Sequence, residues 1–380
     1  MKRVVFFAVA AIMMLALTVC GAGFASAADV IKIGGTGPLT GGAAIYGQAA
    51  RNGAQLAVEE INALGGVQFA LNYQDDEHDA EKAVNAYNTL KDWGMQVSLG
   101  SVTSTPAVAT SVENNADRIF AVTPSASAVA VTEGKNNVFQ MCFADPNQGS
   151  ASAQYIKDQK LGAKVAVIYK NDDVYSSGIF ETFKVRAAKI GLKIVSVTTF
   201  TEDSQQDFSV QLADAKKNGA DLIFLPMYYT PASLIFQQAK STGYAPKYFG
   251  VDGMDGILSL EGFNTALAEG VMLLTPFNAT AKDKRTAGFV AKYKAKHGEV
   301  PNQFAADGYD CVYAIHQAVK AGKVTAKMTA PAICDILVKQ FTGMKFSGLT
   351  GDNMTWGKNG QVSKDPKGMV IKNGAYAGMN

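Results

Sequence analysis

Cysteine and histidine are both scarce in this chain of 380 residues, and each shortage excludes something. Four cysteines are present, and none makes a C-x-x-C pair, so a zinc ribbon or a thioredoxin-like redox site is excluded. Cys142, Cys311 and Cys334 lie beyond the N-terminal leader; three thiols allow at most one internal disulfide, and buried free thiols fit equally well. The histidines are His78, His297 and His316, without H-E-x-x-H or any paired metal-ligand spacing. No G-x-S-x-G nucleophile elbow occurs. Neither a catalytic site nor a cofactor is indicated. Charge of one sign is also lacking. Without Lys2 and Arg3 the 35 basic residues become 33, equal to the 33 acidic ones, so nucleic acid and anionic membrane are poor partners.

Beyond the leader, no apolar run is long enough to span a bilayer. The leader itself reads as an export signal over residues 1–27. Lys2 and Arg3 precede an uncharged apolar stretch from Val4 to Val19, and Ala25-Ser26-Ala27 offers a small-residue cleavage site. Leu17-Thr18-Val19-Cys20 approximates a lipoprotein signal, so lipidation at Cys20 is the alternative to free release. Either way the expected location is the periplasm or extracytoplasmic face.

The remaining chain is 48% hydrophobic over its full length and carries most of the 37 glycines. About 350 residues exceed one comfortable core, so two domains are expected. Apolar runs alternate with amphipathic ones. Gln96–Gly100, Ile119–Thr123, Lys164–Tyr169, Lys193–Thr199, Leu222–Pro226, Tyr248–Val251 and Val271–Thr275 read as strands. Several are continuous rather than alternating, as in parallel sheets covered on both faces. Helices are expected at residues 47–64, 79–93, 176–190, 208–218, 231–242, 284–297 and 304–321. Thr105-Pro106 reads as a further helix start. This is the rhythm of an α/β protein with doubly wound parallel sheets, which bind ligands beyond the carboxyl ends of their strands.

The segments after those strands are rich in hydroxyls and aromatics. Val30–Ile33 leads into glycines at 34, 35, 37, 41 and 42, read as a loop, with a helix opening after Tyr46. The glycine spacing does not make G-x-G-x-x-G, which removes a dinucleotide site. Asp75-Asp76-Glu77-His78-Asp79 reads as a solvated loop with Asp79 capping the next helix. What remains suits a zwitterion. Ser104 sits at a helix start, where a carboxylate is stabilised; Ser125 and Ser127 follow the next strand; Asp252 offers a carboxylate for an ammonium. Tyr175 and Tyr228 supply aromatic walls.

These residues carry a family resemblance over Val30 to the C-terminus. The chain resembles the periplasmic solute-binding proteins of the branched-chain amino-acid (leucine/isoleucine/valine-binding) type, which serve ABC importers. The likeness is densest in IKIGGTGPLTGGAAIYGQAARNGAQLAVEEINALGG, in GSVTST with VTPSAS, and in NDDVYSSG. It implies a type I fold of two doubly wound parallel-sheet lobes joined by a three-segment hinge. Residues 29–143 and 279–346 would form the first lobe and 148–275 and 352–380 the second, with crossings at 143–148, 275–279 and 346–352. It implies ligand contacts from Tyr46, Ser104, Ser125, Ser127, Tyr175, Tyr228 and Asp252, and a monomer that meets permease subunits in the inner membrane. Some members staple the loop around His78 to that around Thr103 with a disulfide whose cysteines are absent here. Asp252 stands where Glu is frequent, and Met227-Tyr228 crowds a position that is often glycine. The alternatives are a binding protein for an aromatic carboxylate or an amide or urea-type solute, or a sensory ligand-binding module.

Overall fold

Continuous apolar runs become the central strands of two sheets, buried on both faces. The computed structural model describes residues 30–379, so the export signal and Cys20 lie outside the described residues. In the first sheet all neighbours are parallel, in the order β2-β1-β3-β4-β5. Its members are β1 (Val30–Gly37), β2 (Gln68–Asp75), β3 (Val97–Ser98), β4 (Phe120–Thr123) and β5 (Val138–Gln140). The second sheet contains β6 (Val165–Lys170), β7 (Ile194–Phe200), β8 (Leu222–Leu225), β9 (Lys247–Gly250), β10 (Met272–Thr275), β11 (Lys367–Lys372) and β12 (Ala375–Gly378). Its order is β12-β11-β10-β9-β8-β6-β7, parallel except where β11 pairs antiparallel with β10 and β12. Every residue of β4, β8 and β10 is buried, which accounts for their unbroken apolar character.

Ten helices are described: α1 (Ala44–Ala63), α2 (Ala80–Asp92), α3 (Ser104–Ala116), α4 (Asp145–Asp158), α5 (Val174–Ile190), α6 (Ser209–Lys217), α7 (Tyr229–Ser241), α8 (Lys284–His297), α9 (Gln303–Ala321) and α10 (Ala330–Phe341). Side-chain caps set several starts. Asp79 accepts from the Lys82 amide at α2, Asp173 from Ser176 at α5, and Asn302 from Ala305 at α9. α3 begins at Ser104 rather than after Thr105, so Ser104 is its first residue and Thr103 its N-cap. α4 and α10 were not anticipated. α4 is polar over much of its length and has a glycine inside, which hides its period.

The opening glycines correct the expected loop. β1 continues through Gly37, and three of its glycines exist because side chains lie against the strand. A Cβ at Gly34 would stand 2.3 Å from Met95 Sδ, and one at Gly35 would stand 2.5 Å from the Tyr73 ring. The free thiols of Cys142, Cys311 and Cys334 are all buried.

The chain leaves the first sheet after β5, and α4 then packs against α5 on the second. It returns between β10 and α8, where Lys292 and Lys296 pair with Glu60 and Glu59 on α1. Trp356 and Val362, beyond the expected third crossing at 346–352, are buried with residues of the first sheet. Residues 346–362 fold back on themselves through the bridges Phe346–Met354 and Trp356–Val362, and these four side chains are buried in one cluster with β1, β4 and β5 residues. Trp356 Nε1 donates to the Gln140 carbonyl at 2.8 Å, and its ring packs on Phe341.

One helix contact governs the site. α1 and α9 meet backbone to backbone: a Cβ on Gly53 would lie 1.9 Å from the Ala305 carbonyl oxygen, and one on Gly308 would lie 2.2 Å from that of Ala50. Their N-terminal ends carry Tyr46 and Phe304, whose ring centroids are 4.5 Å apart. Gly53→Ala is expected to force the helices apart and cost about 1–3 kcal/mol, read as a lower urea midpoint. An unchanged midpoint would show that the contact yields freely.

Candidate functional site

Both sheets present the carboxyl ends of their parallel strands to the same cleft, and short loops there hold the candidate residues. Tyr46 lies in the first turn of α1, Ser104 opens α3, and Ser125 follows β4. From the second lobe, Tyr175 lies in the first turn of α5, Tyr228 immediately precedes α7, and Asp252 follows β9. These six line one small cavity of ≈ 10 Å³, together with Val102, Thr103, Gly253 and Phe304. That volume is roughly what one water centre needs.

Ser127 is not among the lining residues. It is fully buried; its Oγ meets Gln148 Nε2 at 3.3 Å and its carbonyl accepts from the Asp145 amide at 2.9 Å. It therefore fastens the first crossing to the first lobe. Its place two residues after Ser125 is the same in either role, so spacing does not separate them.

The lobes touch through the cavity wall. Tyr46 donates its hydroxyl proton to the Gly253 carbonyl at 2.6 Å, and the same oxygen accepts from the Tyr229 amide at 3.1 Å. Gln303 of α9 donates to the Asp252 carbonyl at 2.7 Å, and its amide donates to Asp255 Oδ2 at 2.9 Å. Thr230 donates to the Gly42 carbonyl at 2.7 Å. This is a closed arrangement of the two lobes.

Asp252 is the chemical centre. It is 3% exposed, and among the described residues no lysine, arginine or histidine forms an ion pair with it. Tyr175 donates to its Oδ1 at 2.6 Å and accepts from the Gly253 amide at 2.9 Å. Burial pushes the Asp252 carboxyl up to about 7, outweighing the hydrogen bonds from Tyr175 and Gln148 that pull it down. A buried carboxylate held this way is stabilised by a cation brought in from outside.

The opposite wall has the opposite polarity. No side chain caps α3, because Thr103 Oγ1 is engaged with His78 Nδ1 at 2.8 Å. The positive end of the helix and the Ser104 hydroxyl therefore face the cavity. Ser104 Oγ accepts from the Ala128 amide at 3.2 Å, which leaves its proton to donate. Aromatic rings close the sides: Tyr175 and Tyr228 are stacked at 4.8 Å and 2°, with Tyr46 5.3 Å from Tyr228.

Three site features were not anticipated. Phe304 supplies a fourth ring, but at the start of an amphipathic helix it looks like ordinary core. His78 was expected in a solvated loop; its Nε2 instead lies 3.9 Å from Asp173 Oδ2 on the other lobe, and its ring stands edge-on to Tyr228 at 5.3 Å. The bond between His78 and Thr103 joins the two loops that the absent disulfide would have joined. Asp76 in the same loop is fully buried, and burial raises its carboxyl to about 7. The His78 amide donates to Asp76 Oδ1 at 3.0 Å, and the backbone at Glu77 and His78 is left-handed. Asp79 caps α2 as expected.

A second, larger cavity of ≈ 270 Å³ opens at the cleft mouth, with Glu77 and His78 on one side and Lys170, Asp173, Glu202 and Met227 on the other. Among the described residues, no group of three or more histidine, cysteine or acidic side chains is placed to hold a metal ion.

Residues 30–375 match the sequence profile of the family described as "Periplasmic binding protein". The leucine-, isoleucine-, valine-, threonine- and alanine-binding protein of Pseudomonas aeruginosa is 29% identical over 82% of this chain and 85% of its own length. A Leu/Ile/Val-binding protein homologue of Brucella melitensis is 30% identical over 79% and 80%. Among solved structures, a leucine-binding protein of Thermotoga maritima superposes with a TM-score of 0.83 at 26% identity, covering 92% of this chain and 98% of that one. A branched-chain amino-acid substrate-binding protein of Streptococcus pneumoniae, in complex with isoleucine, gives 0.82 at 27%, covering 91% and 97%. With the profile spanning nearly the whole chain and both sheets in place, this protein belongs to the periplasmic binding protein family and has its two-lobed type I fold.

Proposed function

We propose that this protein is an extracytoplasmic receptor that captures a small α-amino acid between its lobes and presents the closed complex to an ABC importer. The observation that carries the reading is the buried, unpaired carboxylate of Asp252, set across one cavity from Ser104 and the uncapped start of α3. An α-ammonium answers the first and an α-carboxylate the second. The Pseudomonas and Brucella relatives, named for amino-acid binding, support the same class. The export signal at residues 1–27 supports the location, and closure over the ligand supplies a surface that a permease can distinguish from the open form. Tyr46, Ser104, Ser125, Tyr175, Tyr228 and Asp252 are the proposed contacts, with Phe304 added and Ser127 given a positioning role.

A thermal-shift screen with amino acids, amides and aromatic acids tests the class, since a ligand that binds only the folded protein raises its melting temperature. An amino acid is expected to give the largest shift; a shift by benzoate or urea alone would reject the reading. Ser104→Ala is expected to weaken amino-acid binding by about 1–3 kcal/mol in calorimetry, the usual cost of losing a bond to a charged group. Unchanged affinity would remove Ser104 from the carboxylate site.

Asp252 also predicts a pH effect on the unliganded protein. Its folded pKa of about 7 lies above the usual carboxylate value near ~4. Its contribution to stability is therefore fully present below that lower value and lost as pH rises through 7. Asp252→Asn removes the titrating charge. The variant is expected to melt higher than the parent at pH 8, with the gap shrinking towards pH 4, and to bind no amino acid. A constant gap across that range would contradict the burial argument.

A further inference from the structure

Among the described residues, Tyr228 alone lines both the inner cavity and the larger one at the cleft mouth. Its ring is held on three sides: stacked on Tyr175, 5.3 Å from Tyr46, and met edge-on by His78. Its backbone is held as well, because it directly precedes α7 and the next amide, that of Tyr229, donates to Tyr46. A ring fixed this way is a partition rather than a flexible lid.

The two spaces it separates differ in chemistry. The inner one contains Asp252 and Ser104 and is otherwise walled largely by aromatic rings. The outer one mixes apolar side chains such as Phe200 and Met227 with three acids and one lysine. Glu77 is paired with Lys82 at 2.6 Å, which leaves Asp173, among the described residues, as the acid without a lysine or arginine partner. Glu77, Asp173 and Glu202 face it, while Lys170 is already paired with Glu202 at 2.7 Å and Asp172 at 3.6 Å. His78 also faces it, and burial holds the imidazole below its ordinary pKa despite Asp173. The Tyr228 ring stands between the inner cavity, which holds Asp252 and Ser104, and the outer one.

We propose that Tyr228 sets the length of the ligand: its ring confines the protein to amino acids with short side chains, and shuts off an outer compartment suited to a long side chain ending in a cation. This rests on the amino-acid reading above. It gives Met227-Tyr228, bulky where the resemblance has glycine, a function as a size filter.

Calorimetry with alanine, valine, glutamine and lysine on the parent, Tyr228→Phe, Tyr228→Leu and Tyr228→Ala tests it, with circular dichroism melts to confirm folding. The parent and Tyr228→Phe are expected to prefer alanine or valine over lysine by at least about tenfold. Tyr228→Ala is expected to move that ratio by about tenfold or more towards lysine, with Tyr228→Leu between them. The filter is refuted if the parent binds lysine as tightly as alanine, or if folded Tyr228→Ala shifts both ligands in parallel. Absence of amino-acid binding by the parent would instead overturn the reading on which the filter rests.

Discussion

A carboxylate taken out of water with no cation beside it sets the terms for this protein. Asp252 is enclosed by Tyr175, Gln148 and the loop after β9, and in the closed arrangement its charge is opposed by burial. Two events relieve it: the lobes part and water returns, or an ammonium enters and the lobes stay shut. In the proposed function a single buried group couples ligand charge to lobe position, and closure is driven only as far as the ligand prefers the closed form.

The other elements make that group effective. The close approach of α1 and α9 brings Tyr46 and Phe304 together on the first lobe, and the Tyr46 hydroxyl then reaches Gly253, next to Asp252, on the second. Gln303, adjacent to Phe304, holds the Asp252 carbonyl. Ser127 and Gln148 connect the first crossing to the same region. Displacing either helix would therefore disturb the cation side of the site as well as its aromatic wall.

How much was legible in the sequence follows from what each residue does locally. Central strands and most helices were readable because a doubly covered sheet demands continuous apolar runs and its helices demand a period of 3.6. Six of the seven candidate residues line one cavity because the fold class brings strand ends to a common cleft. Ser127 shares loop and spacing with Ser125, and only the direction of its side chain separates them. Phe304 and His78 depend on contacts with residues distant in the chain. The glycines of β1 looked like a loop, since a sequence does not show that Met95 and Tyr73 press against them. Phe346, Met354 and Trp356 lie in a stretch rich in glycine and asparagine, where nothing local marks them as core. Their burial in the first lobe's core comes from tertiary contact.

In the proposed function the Asp252 charge holds the cleft open until a ligand's ammonium neutralises it. Small-angle X-ray scattering of the ligand-free protein at pH 5 and pH 8, followed by addition of the best-bound amino acid at pH 8, tests it directly. The account predicts a larger radius of gyration at pH 8 than at pH 5, and a return to the smaller value when the amino acid is added. A radius indifferent to both pH and amino acid would contradict it.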